Sequence, residues 1–515
     1  MNSVTLQATA IIRKNSISFV EQMFALYAAR RPLVLVSSAD QANELPGIEV
    51  DRCIDPGDQT SWLTAQHPVI LDDQPAQVSY TSGTEGLPKG ILLTYRNLGY
   101  TTGRIIEVMQ MTDEIREYVG VPATFSFGMA RFRAVSAMGG QSYMPPRGFD
   151  PMELARMLKA GQVNALSAVP TLLRILLADP SIIGDAGRAL RWMEIGSQPM
   201  TAAEKRQVRA MFPNARIVQH YGLTEASRST FLVISDASDA MLDSVGHPVG
   251  EAEVQLSPDN RIRIRGPHVA RSRIDAQGLH PLTDAEGWLQ TNDLGHMQDG
   301  HLFFDGRADD LINCGGQKIV PDQLEDRIRA RLKSSVQIAV AKVPDAQRGD
   351  GVLVALAGAP DQTARVKEAA TAALSEMGIS AGSALHVMAL DTLPVTGTGK
   401  VQRRVLADQF ALRKVTAPAT AQAKGEITDV RSLFRHEFAG QKIGPDDTFE
   451  SLGGDSLHYI QFSLAYEARF GQLPDGWEKF TVTRLQTHAD GSGTSTWRHL
   501  ESATLTRAFF MICIV

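Results

Sequence analysis

The chain has 515 residues, enough for about two to four domains, and its 43% hydrophobic and 21% charged content is that of a soluble globular protein. A formal charge of −6 provides no basic face for nucleic acid. Cys53, Cys314 and Cys513 stand far apart, with no Cys-x-x-Cys and no histidine cluster, which argues against a disulfide framework or structural zinc and suits a reducing cytoplasm.

Arg13, Lys14 and Asn15 interrupt the apolar start, so no signal peptide is expected. Residues 18–30 predict an amphipathic helix, followed by a buried strand at Leu33-Val-Leu-Val36. Short apolar strands continue to alternate with helices past residue 220, the pattern of an α/β layered fold. From about 244 to 305 the helices give way to β-like runs such as Val254-Gln-Leu256 and Arg261-Ile-Arg-Ile264. A smaller α+β unit is expected over 306–415, with strands near 336–343 and 352–356 and a helix near 363–376. Residues 416–425 have the composition of a linker, 426–490 predict a helical unit, and 491–515 form a tail.

Several segments carry chemistry. Tyr80-Thr-Ser-Gly-Thr-Glu-Gly-Leu-Pro-Lys-Gly90 follows a strand-like segment and is dense in glycine and hydroxyls. Such a loop can surround phosphate oxygens with backbone N–H groups while Lys89 adds charge. Tyr221-Gly-Leu-Thr-Glu225, Thr291-Asn-Asp-Leu-Gly295, Gly306-Arg-Ala-Asp-Asp-Leu-Ile-Asn-Cys-Gly-Gly-Gln-Lys-Ile319 and Pro394-Val-Thr-Gly-Thr-Gly-Lys400 follow in that order. Taken singly, these residues read as surface turns, a core tyrosine and a solvated lysine.

Together the five segments closely resemble the signatures of the adenylate-forming superfamily: acyl-CoA synthetases, nonribosomal adenylation domains and luciferases. The resemblance implies a large layered α/β subdomain over 1–305 and a small α+β subdomain over 306–415. It implies that Thr81, Ser82, Gly83, Thr84, Gly86 and Lys89 hold ATP phosphates, with Glu85 standing where the family usually has threonine. It places Thr224 at a phosphate, Glu225 on Mg2+, Tyr221 by the adenine, Asp293 and Arg307 on the ribose, Asp309 at the hinge and Lys400 as the adenylation cation. Glu225 is a sensible hard-oxygen ligand for a cation that keeps most of its water and bridges phosphates. This chain departs at Asn292, Asn313 and Gln323, where the family has glycine, lysine and an acid, and Glu325 closes the segment. The phosphate loop also comes early, near residue 80, which implies a shortened front half.

Amino-acid-activating relatives carry an aspartate for the substrate ammonium where this chain has Gly128. An uncompensated ammonium in an apolar pocket is costly, so a carboxylic acid without an α-amino group (fatty, aryl or small hydroxy) is expected. Phe125, Phe127, Gly128 and the turn at Gly196 are read as pocket wall, with core packing the alternative for both phenylalanines. Cys314 is read as incidental, since no histidine base adjoins it in sequence.

Asp447-Thr-Phe-Glu-Ser-Leu-Gly-Gly-Asp-Ser-Leu457 provides apolar anchors at Phe449 and Leu452, a bend at Gly453-Gly454, and a helix start at Asp455-Ser456. Leu457, Ile460, Leu464 and Ala468 follow at helical spacing. An N-cap is the alternative use of such a serine, and a helix N-terminus also favours a phosphodiester. The string resembles the attachment site of an acyl or peptidyl carrier protein, implying a four-helix domain with 4′-phosphopantetheine on Ser456. A phosphopantetheinyl transferase and a downstream acyl acceptor enzyme would then be partners. The tail ends in the apolar run Ala508–Val515, too short to span a bilayer. It either packs on the carrier domain or opens a membrane helix, and its approach weakly resembles integral-membrane acyltransferases. The expectation is a cytoplasmic ligase that loads its own carrier, membrane-associated in the second case. An acyl-CoA-forming ligase and a non-catalytic scaffold presenting the carrier are the alternatives.

Overall fold

A computed structural model describes residues 6–81, 89–146, 148–315, 317–332, 336–345, 348–379, 382–396, 400–416, 427–438, 443–452 and 456–491. The chain divides into two compact units, Met1–Ala308 with Thr396–Lys400, and Asp309–Val395 with Val401–Val515.

The first unit contains two seven-stranded sheets and one four-stranded sheet. In one large sheet Leu6–Ile12 pairs in parallel with Leu33–Val36 and with Ile48–Ile54. Leu33–Val36 is buried at every position, which explains its unbroken apolar run. Ile17–Ala28 is a helix capped by Ser16, whose side chain accepts from the Phe19 N–H. In the same sheet Pro75–Thr81 pairs antiparallel with Lys89–Thr94, with Thr81 opposite Lys89. The strand pair thus brackets residues 82–88. Ser82, Gly83, Thr84, Glu85 and Gly86 lie outside the described residues, and Thr81 and Lys89 are placed only as strand ends.

The other large sheet carries Arg116–Val119, Ala165–Ala168, Trp192–Ile195 and Arg216–Tyr221 as parallel neighbours. Helix Tyr95–Met109 starts at a reciprocal Thr94/Asn97 capping box, and Ala202–Met211 at a Thr201/Glu204 one. The small antiparallel sheet of Glu253–Leu256, Arg261–Arg265, Leu289–Gln298 and His301–Arg307 forms the β-rich stretch expected after residue 244.

In the second unit Gln337–Asp345 and Gly349–Ala357 form a long antiparallel pair, joined in parallel by Leu385–Leu390. Alternation sends Ile338, Val340, Val352 and Val354 into one core with helices Pro321–Leu332 and Thr363–Glu376. Ala339, Ala341, Val343 and Leu353 turn to the other face, where Leu406 of helix Arg403–Thr416 packs. Glu325 accepts from the Val340 N–H at 2.8 Å and from Arg403 at 2.6 Å, tying helix to sheet. Cys314 is buried in the first of these cores.

Residues 427–491 have a core of their own around Phe434, Phe449, Phe462, Tyr466 and Trp477. Among the described residues there are three α-helices (Val430–Glu437, Ser456–Phe470, Val482–Gly491) and one 3₁₀ turn (Trp477–Lys479), where four helices were expected. Phe449 is buried, with its ring centroid 4.8 Å from that of Trp477. Gly453, Gly454 and Asp455 lie outside the described residues, as do 492–515. Among the described residues no helix is long and apolar enough to cross a membrane.

Candidate active site

Strand Arg216–Tyr221 delivers Tyr221 to a sharp turn. A Cβ on Gly222 would stand 2.5 Å from the Arg228 backbone nitrogen, so only glycine lets the chain fold back this closely. Leu223 and Ala226 exchange backbone hydrogen bonds, and the Glu225 carbonyl accepts from Ala270 at 2.7 Å, which fixes the Thr224-Glu225 tip. Both residues are half-buried.

The Tyr221 hydroxyl donates to Asp293 Oδ2 at 2.7 Å. Asp293 is buried on strand Leu289–Gln298, directly opposite Arg307 on the neighbouring strand. Arg307 Nη1 stands 3.6 Å from Asp293 Oδ1. Thr291 locks the strand locally, its hydroxyl donating to the Ile262 carbonyl and accepting from the Asp293 N–H. Burial raises the Tyr221 pKa, and Asp293 raises it further, so the phenol keeps its proton.

Lys400 belongs to the same unit by its contacts. The Thr396 N–H donates to the Lys400 carbonyl at 2.8 Å, and the Lys400 N–H to Thr396 Oγ1 at 3.1 Å, tying these two residues together. The Lys400 residue retains open surface, yet the protein around it lowers its pKa; Asp293 opposes that shift and Arg307 adds to it. Burial raises the Glu225 pKa, with Arg307 pulling down and Asp293 pushing up. Tyr221, Glu225, Asp293, Arg307 and Lys400 therefore share one electrostatic neighbourhood. Among the described residues no three His, Cys, Asp or Glu side chains converge as a metal cage. A single carboxylate at Glu225 fits Mg2+, which draws its remaining ligands from water and substrate phosphates.

The expected pocket residues divide. Phe125 is half-buried at the start of helix Ser126–Ala137. Phe127 is buried, its ring centroid 4.8 Å from that of His220 in a T-shaped contact and the Arg228 guanidinium 5.2 Å from its centroid. A Cβ on Gly128 would lie 2.1 Å from the Pro122 carbonyl oxygen. Gly128 is thus a backbone-packing position, and no side chain fits there on this chain's backbone as it stands. A Cβ on Gly196 would fall 2.1 Å from His220 Cε1, so the imidazole covers that glycine.

His220 opens onto a buried charge network that sequence reading missed. Its Nδ1 lies 2.7 Å from Glu194 Oε1, and Arg131 and Arg228 donate to the same carboxylate at 2.9 and 3.0 Å. Arg131 also pairs with Glu117. Burial pushes the Glu194 carboxyl up, but Arg228, His220 and Arg131 outweigh it and hold it well below the usual range. Burial lowers the His220 pKa, leaving a neutral ring, so two carboxylates balance two guanidiniums. The available signal was Glu194 inside the apolar strand Trp192-Met-Glu-Ile195 and Glu117 inside Arg116-Glu-Tyr-Val119. A charge in a covered parallel strand requires a partner.

A profile of the AMP-binding enzyme family matches residues 7–272, just over half of the chain. The 2-succinylbenzoate–CoA ligase of Listeria monocytogenes serotype 4b is 28% identical over 341 residues, covering 65% of this chain and 70% of that one. O-succinylbenzoate coenzyme A synthetase from Bacillus subtilis, solved with ATP and magnesium, superposes with a TM-score of 0.63 at 20% identity, over 78% of this chain and 89% of that one. McyG A-PCP complexed with phenylalanyl-adenylate gives 0.59 at 19% identity and covers 92% of this chain and 83% of that one.

Proposed function

We propose a function for a chain that belongs to the AMP-binding enzyme family and is an AMP-forming ligase: it joins a carboxylic acid lacking an α-amino group to the phosphopantetheine thiol of its own Ser456. The observation that carries the adenylation half is Asp293, held between Tyr221 and Arg307 in the neighbourhood of Glu225 and Lys400.

In this reading Asp293 accepts from the ribose hydroxyls, with Tyr221 and Arg307 holding the carboxylate in place. The substrate carboxylate attacks the α-phosphorus of ATP, forming the acyl–phosphate bond while the bond to pyrophosphate breaks. Lys400 supplies positive charge where two anions approach. Glu225 would hold Mg2+, which when bound stabilises charge on the departing pyrophosphate. Thr224, Thr81, Ser82, Gly83, Thr84, Gly86 and Lys89 are proposed to surround the phosphates. The thiolate then attacks the acyl carbonyl and AMP leaves. Asp309 is proposed as the hinge between these steps, a reading supported by the division of the chain after Ala308.

Support for the carrier comes from the separate core of residues 427–491 and from the helix that begins at Ser456. The reach of the McyG A-PCP similarity over 92% of the chain also supports it, against 78% for the synthetase solved with ATP. A phosphopantetheinyl transferase would charge Ser456, and a downstream enzyme would take the acyl group. A second reading, transfer to free CoA, is favoured by the CoA ligases among the relatives.

The deciding experiment offers the phosphopantetheinylated full-length chain a panel of carboxylic acids. ATP–pyrophosphate exchange identifies the acid, and intact mass locates the product. An acyl mass on Ser456 supports the first reading. Acyl-CoA with an unacylated chain establishes the second, and selective exchange with one α-amino acid overturns the substrate class.

A further inference from the structure

A cavity of about 20 Å³ lies in the first unit, lined by Tyr27, His67, Ile70, Tyr95, Thr102 and Arg133 among others. It has room for one water molecule or one monatomic ion. Gly99 builds its wall: a Cβ there would meet the Ile70 carbonyl oxygen at 2.0 Å, so glycine lets segment 67–71 lie against helix Tyr95–Met109.

Two of the residues that line this cavity each have a donor left over. Arg133 is 5% exposed, and its Nε is buried without a hydrogen-bond partner; the buried Tyr95 hydroxyl also lacks one. A guanidinium does not surrender its proton in a protein, so Arg133 carries a full charge. No carboxylate stands among the charged groups that bear on it. Its neighbours are the Tyr27 hydroxyl, which hydrogen-bonds it, and Arg228, which repels it. Tyr27 is no counter-charge, since burial raises its pKa and its hydroxyl donates to Gln77 Oε1 at 2.7 Å. His67 is stacked on Phe24 and is neutral at pH 7, its pKa lowered to about 4 by burial and by Arg133. Asp72, close to Tyr95, is engaged by Arg30. The Glu117–Glu194–Arg131–Arg228 network is already balanced and has no charge to spare. Arg104, another buried arginine with unpartnered N–H groups, differs in having Glu107 nearby and the rings of Tyr100 and Phe231 beside it.

The geometry points to a monovalent anion of the halide class in this cavity, accepting from Arg133 Nε and the Tyr95 hydroxyl and serving as the counter-charge of Arg133. A water molecule would satisfy the two donors but leave a buried cation uncompensated, which a protein interior tolerates poorly.

The test uses the full-length chain and bromide or chloride as the probe. Crystals equilibrated in sodium bromide and measured at the bromine edge should show an anomalous peak beside Arg133 Nε, absent in Arg133→Met. In solution, chloride at roughly the physiological 0.15 M should raise the melting temperature over gluconate at equal ionic strength, because a ligand of the folded state stabilises it. That rise should shrink in Tyr95→Phe, which retains the guanidinium and keeps the test valid if Arg133→Met does not fold. Density without anomalous signal means ordered water and overturns the proposal. So does an anomalous peak without any chloride response, which is binding at crystal concentration only, or an identical chloride response in Tyr95→Phe.

Discussion

Tyr221 donates a 2.7 Å hydrogen bond to Asp293, coupling the end of a parallel strand in a large sheet to an antiparallel strand 72 residues later. The pair places an aromatic ring and a buried carboxylate side by side, with Arg307 opposite.

Removing the carboxylate should therefore be felt at the nucleotide. Hydrogen bonds to charged groups contribute about 1.5–3 kcal/mol, so Asp293→Ala should raise the KM for ATP roughly 10- to 100-fold. Tyr221→Phe, which leaves the carboxylate but loosens it, should do less. Initial-rate kinetics at varied ATP, with the carboxylic acid saturating, measure both. Equal effects on ATP and acid would mean that the pair supports the fold and not the nucleotide.

Lys400→Ala should nearly abolish acyl-AMP formation, by at least about 100-fold, the range typical of a lost transition-state donor. The variant should still convert chemically supplied acyl-AMP to thioester. Loss of both half-reactions together would make the lysine a structural residue.

Glu194→Gln should destabilise the chain by about 3–5 kcal/mol at pH 7, because it strands Arg228 in the interior and leaves Glu117 as the one carboxylate for two buried guanidiniums. The sign with pH follows from the depressed carboxyl pKa. The contribution of Glu194 is complete above the unfolded carboxyl value and is lost as pH falls toward the folded one. The gap between wild type and variant should thus narrow below about pH 4.3. His220 acts in the same direction, since its lowered pKa lets the unfolded chain bind a proton first below about pH 6.5. Urea unfolding from pH 7 to 3.5 gives the slopes. A constant gap across that range would show that Glu194 is not the ionised hub.

Self-loading of Ser456 should be independent of protein concentration. Ten linker residues of flexible composition have a root-mean-square span of roughly 16–19 Å, and such tethers give effective concentrations near the millimolar range. A Ser456→Ala chain mixed with a phosphopantetheinylated Lys400→Ala chain, both at micromolar concentration, should label slowly compared with wild type. Equally fast labelling would show that the carrier is served in trans.

Substituting Gly128 should report on packing more than on substrate choice. Gly128→Ala puts a methyl group 2.1 Å from the Pro122 carbonyl oxygen, and overpacking of this kind costs about 1–3 kcal/mol. Thermal melting of Gly128→Ala measures this loss. An unchanged melting temperature would mean that the backbone relaxes freely and that the glycine is not needed for the fold.

The sequence by itself determined the family and the order of its chemical segments, because phosphate loops, strand ends and turn tips depend on local chemistry. Glycine density around residue 83, a carboxylate after Thr224 and the glycines before Lys400 are all legible in short windows. Strand and helix periodicity was equally local: Leu33–Val36 and the 352–356 stretch of strand Gly349–Ala357 follow from apolar runs, whereas the extension back to Gly349 does not. Only the tertiary structure could decide why Gly128 has no side chain, since the obstacle is a carbonyl six residues earlier brought into contact by a turn. It alone joined Glu117, Arg131, Glu194, His220 and Arg228, which lie on three strands, one helix and one turn. It likewise assigned Phe462 and Tyr466 to the core of the last helical unit. Charge balance in an interior is a sum over neighbours in space, and those neighbours are set by how the sheets and helices pack.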